Sequence, residues 1–260
     1  MGTSKSRIDD VPALKPSGCS GADVARAESC HLSCDDIVKA GKQKKQTILK
    51  IGTWNVRTMN VKGKLENVKE EMRRYKLNVL GVTEVRWLDE GDFESDKYRV
   101  IYSGGEERQT GAAVLLDRDA AKRVIDIKRY GDRMMMVKMQ GELADMVLIQ
   151  LYMPTSVHED DEVDAVYEEL EELLRVQKGS DHVVIMGDWN AVVGEGRDEL
   201  VIGKFGLGTR NERGDKLVDF CKRNRMVVTN TWFEQERRCR YTWKKPGDEC
   251  RDQIDYILVR

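Results

Sequence analysis

The sequence predicts a layered α/β sandwich. Short apolar runs rich in β-branched residues recur from residue 48 onward. Three longer segments place apolar residues at helical spacing. Some strand-like runs follow one another without an intervening helix, which speaks against a purely alternating parallel fold.

The elements follow in order. Residues 1–46 are rich in Ser, Gly, Ala, Asp and Lys, include Pro12 and Pro16, and keep no period of 2 or 3.6. They read as a disordered N-terminal tail, followed by a domain over 47–260. Apolar runs at 48–51, 79–82, 112–116, 146–149, 183–186, 226–228 and 254–259 have the length and composition of buried strands. Further strands are expected at 98–102, 134–139 and 240–243. Residues 64–76, 160–177 and 212–223 read as amphipathic helices, with faces built on Leu65, Val68 and Met72, on Val163, Leu170 and Leu173, and on Leu217, Phe220 and Cys221. The acidic row 159–162 opens the second helix, where it suits the helix dipole better than a metal.

The 260 residues are 40% hydrophobic, enough for a sizeable core. Charged residues make up 35%, but the net charge is only −2, which excludes a whole-protein basic field. Nucleic acid would be held by local patches or through metal ions. No apolar run is long enough to span a bilayer, and the N-terminus lacks a signal peptide's apolar stretch. The expected setting is inside the cell, nuclear before cytoplasmic, with the six cysteines reduced.

Polar side chains cluster where the apolar runs end. Asn55 follows the first run, Glu84 the second, Tyr152 the run from 146, and Asp188 and Asn190 the run from 183. Ligand-binding groups in α/β sheets gather at strand ends. Each residue alone also suits a turn or a surface, so the weight lies in the four ends together. Oxygen donors of this kind suit magnesium, with manganese an alternative. Glu84 is the best direct ligand and Asn55 an amide ligand beside it. Asp188 can accept a proton from, or orient, an attacking water. Asn190 and Tyr152 can donate to phosphate oxygens. Asp255 interrupts an apolar run and needs a partner, for which a histidine is the obvious candidate.

The ordered motifs Thr-Trp-Asn (53–55), Thr-Glu (83–84), Leu-Tyr-Met-Pro (151–154), Gly-Asp-Trp-Asn (187–190), Tyr-Thr-Trp (241–243) and Ile-Asp-Tyr-Ile (254–257) resemble the endonuclease/exonuclease/phosphatase family. More narrowly they are similar to the apurinic-type endonuclease domain of non-LTR retrotransposons. The resemblance covers residue 48 to the end. It implies a four-layer sandwich of two mixed β-sheets flanked by helices, a magnesium ion, and hydrolysis of DNA phosphodiester bonds by a monomer. By motif, Asn55 and Glu84 fall at metal positions and Tyr152 at a phosphate-contacting tyrosine. Asp188 and Asn190 fall at the catalytic aspartate and the phosphate-binding asparagine. Asp255 falls at the aspartate that supports the family's histidine, and Trp243 near an aromatic that lies against nucleic acid. Asn211 matches a further substrate-side asparagine loosely.

Two departures stand out. Arg57 occupies a position that is often acidic in the apurinic-type enzymes. The family's closing Ser-Asp-His strand has no counterpart before Arg260, and His31, His158 and His182 fit its role from sequence no better. The expectation is an inner strand left with an open edge and strongly impaired nuclease activity. The alternatives are a domesticated, non-catalytic domain that binds nucleic acid or protein, and a phosphatase of the same superfamily.

Other signals are weaker. Cys30, His31 and Cys34 are poorly spaced for zinc. Arg237, Arg238 and Arg240, followed by Tyr241, Trp243, Lys244 and Lys245, suit a nucleic-acid backbone, and equally a solvated hairpin. Met134–Met136 read as core.

Overall fold

The computed structural model describes Ala25–Arg26 and residues 48–106, 108–245, 247 and 251–260. Apart from Ala25–Arg26, the expected tail, with its Cys30, His31 and Cys34, lies outside the described residues, as does Cys250.

Two six-stranded sheets form the centre. The first contains β1 (Ala25–Arg26), β2 (Ile51–Asn55), β3 (Val79–Thr83), β4 (Glu90–Ser95), β5 (Tyr98–Ser103) and β6 (Ala112–Asp117), in the order β1-β2-β3-β6-β5-β4. The second contains β7 (Val124–Tyr130), β8 (Met134–Met139), β9 (Met146–Tyr152), β10 (His182–Asp188) and β11 (Val227–Val228). After a separate hairpin of β12 (Trp243–Lys244) and β13 (Arg251–Asp252) comes β14 (Asp255–Val259), giving the order β11-β14-β10-β9-β8-β7. Both sheets are mixed: β2 and β3 run parallel, β9 and β10 run parallel, and the other pairs are antiparallel. The helices are α1 (Lys64–Tyr75), α2 (Arg118–Ala121), α3 (Asp160–Arg175), α4 (Glu212–Asn224) and α5 (Arg237–Arg240).

Three apolar layers separate four structural ones. Val68 and Met72 of α1 pack on Leu80, Val82, Ala113 and Leu115, the outer face of the first sheet. Val79, Val114 and Leu116 meet Met135, Leu148, Val184 and Met186 between the sheets. Leu170 and Leu173 of α3 and Leu217 and Phe220 of α4 cover Ile149, Val183 and Ile185. Each central strand is therefore buried on both faces, which is why its sequence is a continuous apolar run rather than an alternation. Full burial of each large apolar side chain contributes roughly 1.5–3 kcal/mol before chain entropy is subtracted. The methionine run divides between layers, Met135 between the sheets and Met134 and Met136 toward the helices.

Local chemistry sets the helix ends. Asn211 caps α4 by accepting from Gly214 N at 2.8 Å. Lys76 and Arg225 close α1 and α4 in the left-handed conformation, their N–H groups returning to the last turn. Asp160, Asp161 and Glu162 fill the first turn of α3, as the dipole favours.

Several expectations are corrected. The strand expected from residue 48 is β2, which begins at Ile51 and runs through the Thr-Trp-Asn motif. The strand expected at 240–243 is a helical turn followed by β12, because Arg237–Arg240 coils before the chain extends. Strands β4 and β7 lie at the sheet edges, where one-sided burial leaves no apolar run to find. The expected open edge is covered only in part, since β1 meets β2 at Gly52 and Thr53 and at no other residue of that strand. The outer edge of β2 carries β1, and the outer edge of β14 carries β11 at Leu258 and Val259. Below β11, side chains finish the edge: Asn230 Oδ1 accepts from Ile257 N at 2.8 Å, and Thr229 Oγ1 donates to Ile257 O at 2.8 Å. These residues lie in a 3-10 turn, Thr229–Thr231, that stands in for a strand.

Candidate active site

Parallel pairing places four strand ends at one rim. Asn55 closes β2 and Glu84 follows β3; Tyr152 and Asp188 close β9 and β10 in direct register. The side chains meet across the two sheets. Asn55 Nδ2 donates to Glu84 Oε1 at 2.9 Å and to Asp188 Oδ2 at 2.8 Å. Tyr152 OH donates to Glu84 Oε1 at 3.3 Å, and Arg86 Nη2 to Glu84 Oε2 at 2.6 Å. One amide thus bridges two carboxylates, a density of negative charge that one arginine offsets.

The segment after β10 is pinned from below. Trp189 is fully buried, donates through Nε1 to Tyr256 O at 3.3 Å, and lies among Tyr167 and Phe220. Gly187 is required by close approach: a Cβ there would lie 1.8 Å from Leu151 O, and its φ is +151°. Left-handed backbone gathers at the rim, in Arg57, Glu84, Arg86 and Asn190. Each such residue costs about 1–2 kcal/mol, and strain of this kind collects at functional sites.

Electrostatics follow from burial. Asp188 is 2% exposed, and desolvation raises its carboxyl to about 6. Hydrogen bonds from Asn55 and from Asn190 N, the latter at 3.0 Å, pull it down, while the Glu84 charge pushes it up. Burial, then the charges of Glu84 and Asp188, push the Tyr152 phenol above its ordinary range, so it remains a donor.

The other expected residues are placed less simply. Asn190 Nδ2 donates to Met153 O at 2.8 Å, so its amide is engaged with backbone rather than turned toward a phosphate. Asp255 is buried opposite Asp188 in the β10–β14 register. No histidine hydrogen-bonds to Asn55, Glu84, Tyr152 or Asp188 among the described residues; His182 begins β10 at its far end. Asn211 Oδ1 accepts from Gly214 N and Val192 N, which caps α4. Arg240 donates through Nη1 to Phe205 O and Gly206 O at 3.2 and 3.0 Å. Trp243 is half-buried in the hairpin. Cys221 is buried and Cys239 exposed.

Arg133 is the residue that sequence reasoning missed. Its guanidinium lies over the Tyr152 ring, 5.4 Å from the centroid, and its Nη1 is buried without a hydrogen-bond acceptor. It forms no ion pair among the described residues. The signal was its position just before the 134–139 strand: antiparallel pairing of Met134 with Leu151 brings the start of β8 to the rim where β9 ends.

The donor set suits a hard cation. Two carboxylates and an amide are oxygen-bearing groups of the kind magnesium favours, but the Asn55 amide here turns Nδ2 to both carboxylates and Oδ1 to Arg57 N at 2.9 Å, so Asn55 would ligate only with its amide reversed. Among the described residues no cluster of three or more His, Cys, Asp and Glu side chains forms a metal cage.

Residues 52–260 match the model of the Endonuclease/Exonuclease/phosphatase family. The chain belongs to that family. Among curated relatives, craniofacial development protein 2 of Bos taurus is 39% identical over 259 residues, 99% of this chain and 42% of that protein. The protein of the same name from Tragulus javanicus is 42% identical over 211 residues, 81% of this chain and 37% of its own. The chain thus spans less than half the length of these relatives. Similar solved structures include the endonuclease domain of TRAS1, a telomere-specific non-LTR retrotransposon (15% identity, TM-score 0.55, 81% of this chain and 84% of that one). The AP endonuclease LMAP of Leishmania major aligns at 13% identity and TM-score 0.60, over 81% of this chain and 78% of that one. The 3′ phosphatase NExo from Neisseria, bound to a product DNA hairpin, aligns at 17% and 0.59, over 82% and 86%. At such identities the likeness establishes the sandwich fold of the Endonuclease/Exonuclease/phosphatase family. No helix among the described residues is long and apolar enough to cross a membrane.

Proposed function

We propose that the chain is a magnesium-dependent phosphodiesterase acting on DNA, with manganese able to substitute. The observation that carries this is the bridge from Glu84 through Asn55 to Asp188, one carboxylate from each sheet held by a single amide. Glu84 would hold the metal, joined by Asn55 through Oδ1 once its amide turns over from Arg57 N, and when bound the metal polarises a phosphoryl oxygen and offsets charge on the leaving oxygen. Asp188 orients the attacking water and takes its proton, a role that burial favours by raising its proton affinity. Tyr152 stays protonated and donates to a phosphate oxygen. Arg133, charged and lacking a carboxylate partner, supports the phosphate beside Tyr152. Asn190 serves the site through its backbone N–H, which orients Asp188. On this reading the protein acts as a monomer in the nucleus.

Activity of these 260 residues is expected to be weak, because no imidazole among the described residues reaches the Asn55–Glu84–Tyr152–Asp188 network. The test is nicking of supercoiled plasmid and of an abasic duplex in magnesium. Slow, metal-dependent nicking is expected, with Glu84→Gln at least a hundredfold slower. Nicking that survives Glu84→Gln refutes the assignment. DNA binding without cleavage selects the non-catalytic alternative. Phosphate release from a 3′-phosphorylated oligonucleotide or an inositol phosphate, without nicking, selects the phosphatase.

A further inference from the structure

The loop between β9 and α3 carries a histidine that this chemistry leaves unused. His158 is held by four contacts. Its Nδ1 lies 2.9 Å from Thr155 Oγ1, and its Nε2 lies 3.2 Å from Arg133 Nη2. Its carbonyl accepts from Arg213 Nη2 at 3.1 Å, and its N–H donates to Thr155 O at 3.0 Å, closing a turn.

The ring's proton can be placed by elimination. A guanidinium has donors only and does not lose its proton in proteins. Nε2 must therefore accept, so the neutral ring carries its proton on Nδ1 and donates to Thr155. Free histidine favours the opposite tautomer, so the arginine selects this one. Charged residues lining the same recess as His158 come from both helices: Arg213 and Glu212 at the start of α4, Glu159 and Asp160 at the start of α3. Asp160 is drawn toward Arg213 at 3.3 Å.

We propose that His158 is a positioning residue: its neutral, Nδ1-protonated ring tethers Arg133 over Tyr152 and so aims a phosphate-binding cation at the site. What Arg133 binds rests on the phosphodiesterase reading; the tether itself does not. The ring acts through Arg133 and touches none of the four residues of the network. A guanidinium held at both its face and its edge gives up less freedom on meeting a phosphate than one swinging in solvent.

Two measurements test this. Nitrogen-15 imidazole spectra of the folded chain in mildly alkaline buffer are assigned with His158→Gln. The Nδ1–H tautomer is expected for His158, shifting toward Nε2–H in Arg133→Met. An Nε2–H ring in the unsubstituted protein, or no change in Arg133→Met, overturns the tether. The second is fluorescence anisotropy of an abasic duplex without cleavage, in metal-free buffer, on variants whose thermal midpoints match the parent. His158→Ala is expected to weaken binding roughly tenfold, and His158→Gln, which keeps an acceptor, to stay within about twofold. Equal losses in both, or none in His158→Ala, overturn the positioning role. A parent protein that binds no duplex overturns Arg133 as a phosphate contact, while the tautomer still decides the tether.

Discussion

Replacing Asp188 by Asn should make the protein more stable and inactive at once. The carboxyl is raised from 3.8 to about 6 by its burial. Roughly two pKa units at about 1.4 kcal/mol each is a penalty of about 3 kcal/mol for keeping the group ionised at neutral pH. The sign follows from the order of the two values. The folded value lies above the unfolded one, so the penalty is full above about pH 6 and vanishes below about pH 4. Asparagine removes the charge but also a hydrogen bond, since its amide nitrogen would face Asn55 Nδ2 where an oxygen now accepts. That loss costs about 1 kcal/mol. The expected net gain is about 2 kcal/mol near pH 8, falling through zero to a loss of about 1 kcal/mol near pH 4. Urea unfolding in metal-free buffer at several pH values reads this directly. A variant less stable than the parent near pH 8, or a difference that does not change with pH, would refute the account. Loss of nicking in the same variant would place the stored cost in the service of the chemistry.

Three further outcomes are expected. Gly187→Ala forces a Cβ to 1.8 Å from Leu151 O, backbone against backbone, and should cost more than about 3 kcal/mol; a near-parental urea midpoint would contradict the close approach. Asn230→Ala leaves Ile257 N–H without its 2.8 Å acceptor and should cost roughly 1–3 kcal/mol, with faster hydrogen exchange at that amide. Hydrogen bonds from Arg210 and Lys222 hold the Asp198 carboxyl below its usual value. Its contribution is present above about pH 4 and is lost as pH falls through the lower folded value, so Asp198→Asn should flatten that part of the acid limb by at most about 1 kcal/mol.

Much of the centre was legible because burial on both faces writes itself into the chain. The runs at 79–82, 112–116 and 183–186 each became a strand within two residues of the expected ends. Strand β4, Glu-Gly-Asp-Phe-Glu-Ser, was not legible, because an edge strand carries charge by design. The four strand-end residues were legible for a related reason: a polar side chain closing an apolar run marks where the chain leaves the core. Arg133 and His158 were not, because their contact crosses from the turn before β8 to the loop before α3, and no spacing encodes it. Asn190 shows the limit of motif transfer. Its identity matched the motif, yet its side chain is spent on Met153 O and its backbone does the orienting.

The two sheets are also two contiguous stretches of chain. Strands β1 to β6 end at Asp117 and β7 begins at Val124, so the chain passes from one sheet to the other through α2. Asn55 and Glu84 therefore belong to one continuous piece, and Tyr152 and Asp188 to the other. A break in this single crossover would yield two polypeptides, one keeping the Asn55–Glu84 bond and the other Asp188, so that only together could they complete the bridge between the two carboxylates. Recovery of nicking on mixing them would then report association, which makes the joint at residues 118–121 the natural place to turn this fold into a sensor of its own reassembly.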